Sequence, residues 1–164
     1  MDREPDSVPD AASQMSTGPV MLALSTFRQS DRAIDLAIER AAESGNLVVA
    51  YVADVNLARY LIGTDVGLYP ELQRKCEEEL LQEHEQQGRE HVAAIRDRAT
   101  AGGIEVATHL RVGRFALVCL EIAEKEKPAL IVTTRSRRPT WVRRFFGSPV
   151  DHLTAHAGCP VVEA

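Results

Sequence analysis

The stretch Val20–Asp54, VMLALSTFRQSDRAIDLAIERAAESGNLVVAYVAD, holds two apolar runs on either side of an amphipathic segment. Val20–Ser25 is short and continuously apolar after Gly18-Pro19, the pattern of a strand buried on both faces. Ala33, Ile34, Ala37, Ile38 and Ala41 then recur at helical spacing, with Ser30 as N-cap and Gly45-Asn46 as the stop. Leu47–Asp54 reads as a second buried strand. Strand, helix and strand in this order predict a βαβ unit with parallel strands.

The same alternation continues outward. Residues 55–69 read as a loop carrying Gly63 and Gly67. Pro70 opens a long polar helix that Gly102-Gly103 ends. Its expected buried stripe is Leu72, Cys76, Leu80, His84, Val92, Ile95 and Ala99, with His84 and His91 at the stripe's edge or in solvent. Ile104–Val112 alternates as a half-exposed strand does. Phe115–Lys127 forms a third helix, stopped before Pro128, and Ala129–Thr134 another buried strand. Ser148–Gly158 is a short helix, and Cys159–Ala164 the last strand. The order β-α-β-α-β-α-β-α-β predicts an α/β fold, a mainly parallel sheet with helices on both faces. A ligand site is then expected at the carboxyl ends of the strands: Ser25-Thr26, Val52–Asp54 and Thr133–Arg138.

Composition narrows the classes. A chain of 164 residues with 45% apolar and 26% charged side chains is globular and large enough for one core. Residues 1–19 are rich in Pro, Ser and Asp, and four acids there face one arginine. They read as a disordered acidic tail before one domain over 20–164. A net charge of −5 carries no signal for nucleic acid or membrane, and no apolar run reaches the ~18 residues of a membrane span. The amino-terminal segment lacks the apolar core of a secretion signal. Cys76, Cys119 and Cys159 are far apart without CxxC pairing, which points to a reducing compartment and a cytoplasmic protein. His152 and His156 share a helix face, but Asp151 points off another, so no metal is expected. Neither Ser25 nor Ser148 sits in a nucleophile elbow, and no turnover is expected.

Three stretches resemble the universal stress protein family: MLALSTFRQSDRAIDLAIERA, VGRFALVCLEIAEKEKPALIV and GSPVDHLTAHAGCPVV. The resemblance covers Val20–Ala164. It implies a flavodoxin-like, adenine-nucleotide-hydrolase-like open sheet of five strands in the order 3-2-1-4-5. It also implies a homodimer formed through the C-terminal strand. Many members bind ATP with a Gly-x2-Gly-x9-Gly-Ser/Thr signature after the fourth strand. Here those places are Thr134, Arg137, Gly147 and Ser148, so only the last two match. The Asp that binding members carry after the first strand falls on Thr26, beside Ser25. The second-strand residue that touches adenine is matched by Val52.

Glycines let a phosphate loop's backbone approach the anion; Thr134 and Arg137 bring a Cβ into that space. With Ser148 as N-cap, Pro149 is the first helical residue and has no N–H to donate. Arg135, Arg137, Arg138, Arg143 and Arg144 surround Trp141, Phe145 and Phe146. Two roles are expected for this stretch. The arginines, with the aromatic residues among them, dock a protein partner where Trp141 and Phe145 would otherwise pack a short turn onto the core; or they grip phosphate by side-chain forks in place of the lost amides. The first makes the chain a stress-response regulator acting through protein contacts, without tight ATP binding. The second makes it an ATP- or AMP-binding switch.

Overall fold

The computed structural model describes residues 18–26, 28–56, 70–135 and 148–164. The chain runs β1 (Val20–Ser25), α1 (Asp31–Ser44), β2 (Asn46–Asp54), α2 (Pro70–Ala101), β3 (Glu105–Gly113), α3 (Phe115–Glu126), β4 (Leu130–Thr133), α4 (Pro149–His156) and β5 (Val161–Glu163). The strands form one sheet in the order β3-β2-β1-β4-β5, and every pairing is parallel. The expected alternation and strand order are both present.

β1 is buried along its whole length because it lies between β2 and β4. Its side chains divide by parity, as the pleat requires. Val20, Leu22 and Leu24 join Ala33, Ile34, Val92 and Ile95 of α1 and α2 in one core. Met21 and Ala23 join Phe115, Cys119 and Ile122 of α3 and Leu153 of α4 in the other. β2 divides likewise, with Leu47, Val49 and Tyr51 on the first face and Val48, Ala50 and Val52 on the second. A continuously apolar strand is thus the imprint of a sheet covered on both sides. Each fully buried aliphatic side chain contributes about 1.5–3 kcal/mol.

The helix ends follow the sequence signals. Ser30 caps α1 by accepting from the Ala33 N–H, and Gly45 closes it at φ 77°, a conformation that favours glycine. α3 ends at Glu126 before Pro128.

One expectation fails. Leu72 is 52% exposed, and Cys76 and Leu80 are only half-buried. The buried face of α2 is His84, Gly88, Val92, Ile95 and Ala99. A helix of 32 residues is about 48 Å long, while its nine-residue neighbour β3 spans about 30 Å. The first turns of α2 therefore run past the sheet. His84, which the expected stripe included and which was also read as at its edge or in solvent, is buried at 4% exposure.

Candidate functional site

The sheet reverses direction of growth at β1, which pairs with β2 on one side and β4 on the other. The carboxyl ends of these three strands make the edge where a ligand crevice forms in such sheets. Ser25, Val52 and Thr133 come together there, as their sequence positions predicted.

At the β1 exit the chain folds back at once. Arg28 N–H donates to the Ser25 carbonyl at 2.9 Å, and Ser25 N–H donates to the Arg28 carbonyl at 3.4 Å. This turn places Thr26 above the end of β2. The Tyr51 hydroxyl donates to Thr26 Oγ1 at 3.1 Å, and Gln29 Nε2 donates to the Tyr51 hydroxyl at 3.4 Å. Arg28 carries its guanidinium over the Phe115 ring, 5.4 Å from the centroid, a cation–π arrangement. Asp54 at the end of β2 accepts from the Asn56 N–H at 2.9 Å. Burial pushes the Cys119 thiol up; the nearby Arg28 charge opposes this, and Asp54 adds to it. Cys119 is therefore a buried apolar filler, not a nucleophile. Val52 is fully buried in the same core as Phe115.

At the β4 exit, Thr133 Oγ1 donates to the Ala23 carbonyl at 2.9 Å. Thr134 Oγ1 is buried with no hydrogen-bond partner among the described residues. Arg135 N–H donates to the Ala164 carbonyl at 3.0 Å, and Ala164 N–H donates to the Thr133 carbonyl at 2.9 Å. The last residue is thereby bound to the exit of β4. Arg137 and Gly147, with the Trp141–Phe145 contact, lie outside the described residues. The chain returns at Ser148, 8% exposed, which caps α4 by accepting from the Val150 N–H at 3.3 Å. Pro149 is the first helical residue, and Asp151 adds a carboxylate to the first turn.

His152 and His156 stack on one face of α4, ring centroids 4.3 Å apart. His156 Nδ1 lies 2.8 Å from the His152 carbonyl, so it donates there. Among the described residues no group of three or more His, Cys, Asp or Glu is arranged to hold a metal. No described helix is long and apolar enough to cross a membrane.

Sequence reasoning missed Tyr51, Gln29 and Arg28. The one signal for Tyr51 was a lone hydroxyl inside an otherwise apolar strand, which needs a partner when buried.

The chain is similar to the universal stress protein MJ0531 of Methanocaldococcus jannaschii, 29% identical over 130 residues, which cover 78% of this chain and 74% of that one. Among solved structures, UspA of Lactobacillus plantarum superimposes with a TM-score of 0.66 at 17% identity, over 88% of this chain and 95% of that one. A universal stress protein solved in complex with cAMP superimposes with a TM-score of 0.55 at 20% identity, over 90% and 96%. The model of the universal stress protein family matches residues 17–162, and the chain belongs to that family.

Proposed function

We propose that this protein is a stress-response regulator that acts through protein contacts, performs no turnover and does not hold ATP tightly. The first turn of α4 carries the reading. A helix N-terminus binds an anion through its free backbone N–H groups. Here Pro149 has none, the Val150 N–H is taken by Ser148 Oγ, and Asp151 adds a negative charge. On the other side of the crevice the β1 exit offers no carboxylate, and Thr26 Oγ1 is engaged by Tyr51. Contacts with protein come from the arginine-rich stretch Arg135–Arg144 and from β5. β5 is an edge strand with Val162 38% exposed, and a second copy pairs with it to form a homodimer. Titration calorimetry with ATP, AMP and cAMP tests the ligand side. The expected result is no heat above the millimolar range; a dissociation constant of about micromolar or tighter overturns the reading.

A second reading has one observation in its favour. Buried hydroxyls are nearly always partnered, and Thr134 Oγ1 has no partner among the described residues. A nucleotide in the crevice supplies that partner, with the arginines on its phosphates. On this reading Arg137→Ala and Gly147→Val each weaken ATP or AMP binding, and added ATP raises the melting temperature. A flat thermal response sets it aside.

A further inference from the structure

Helix α2 carries His84, Gly88 and His91 on one face, at spacings of four and three residues. Gly88 is where the helix meets β2. A Cβ at that position would stand 2.5 Å from Tyr51 Cε1 and 3.0 Å from Leu110 Cδ1. Tyr51 has no exposed surface, and its hydroxyl holds both Thr26 and Gln29. A rigid path therefore runs from α2, through the Tyr51 ring, to the turn between β1 and α1. Interiors are packed densely enough to transmit such contacts.

Two imidazoles flank the contact. His84 is buried at 4% exposure. His91 is half-buried, and its Nε2 finds no hydrogen-bond partner among the described residues. Asp31, at the start of α1, acts on His91, and Glu83, on α2 itself, acts on His84. Between the two imidazoles, Gly88 lies against the Tyr51 ring of β2 and Leu110 of β3. Asp35 of α1 is engaged by Arg98 of α2.

We propose that this face of α2 is an acid-released latch on the β1–α1 turn. Protonating His84 and His91 loosens α2 from Tyr51 and frees Thr26 and Gln29 at the crevice. The latch acts whether or not a nucleotide binds there.

The direction follows from burial. It holds both imidazoles below the ordinary value of 6.5, and this outweighs the upward pull of Glu83 and Asp31. Below 6.5 the unfolded or undocked chain takes up protons that the docked state refuses. The stability of the latch is complete above pH 6.5 and is lost as pH falls towards the folded values.

Amide hydrogen exchange on the full chain tests this, at about pH 7.5 and about pH 5.5 with intrinsic rates corrected. Protection over Ser25–Ser30 and over residues 84–95 is expected to fall about threefold or more on acidification, with β4 unchanged. In the His84→Gln/His91→Asn double variant that drop disappears. NMR of histidine- and tyrosine-labelled wild type serves if the variant does not fold. The Tyr51 ring resonances are then expected to move with the titration of the two imidazoles. Protection that does not change, a drop shared equally by β4, or a Tyr51 signal that ignores the titration overturns the latch.

Discussion

At the exit of β1 a threonine, a tyrosine and a glutamine bond one another, whereas at the exit of β4 the buried Thr134 hydroxyl has no hydrogen-bond partner among the described residues. Thr26, Tyr51 and Gln29 close a hydrogen-bonded set against a buried aromatic ring. The contrast teaches that the two ends of one sheet edge are built differently. The β1–β2 side is built as a packed strut. On the β4–α4 side, Pro149 has no N–H and the Val150 N–H donates to Ser148 Oγ.

Substitutions can break this comparison, and the largest effect belongs to the strut. Tyr51→Ala empties a site with no exposed surface and strands Thr26, for a loss of about 3–5 kcal/mol in chemical denaturation. A loss below about 1 kcal/mol would show that the ring is not a keystone. Gly88→Ala comes next. Its Cβ meets the Tyr51 ring at 2.5 Å, and overpacking of this kind costs about 1–3 kcal/mol. The same variant should speed amide exchange at Ser25–Ser30 more than at β4, because the strain passes through Tyr51.

On the other side the effects are smaller. Ser148→Ala removes the cap of α4 and should lower stability by about 1 kcal/mol in thermal unfolding. Thr134→Val is the most informative for its small size. Removing an unpartnered buried hydroxyl should leave stability within about 0.5 kcal/mol of wild type, or raise it. A clear loss would mean that the hydroxyl is already satisfied, and the two sides of the edge would then be alike.

Much of the fold was legible because local signals and topology agree. Ser30 and Gly45 bound α1, Pro128 stops α3, and the apolar runs of β1, β2 and β4 are those of strands covered on both faces. The candidate edge followed from the same alternation, which put Ser25, Val52 and Thr133 at the carboxyl ends of their strands, whereas Thr134 and Ser148 were named from the family resemblance. Where along α2 the stripe meets the sheet was not legible. A helical stripe tells which residues share a face, and cannot tell where along 32 residues the sheet begins. That is why Leu72 was expected inside and is outside, while His84 is inside.

The sequence by itself determined the element order and the helix caps, because each rests on residues close together in the chain. Only the tertiary structure decided that Tyr51 bonds Thr26, 25 residues away, and that Gly88 is the contact allowing α2 onto β2. Such pairings depend on the register of strands and the rotation of helices. Those are set by packing across the whole sheet, and no local pattern records them.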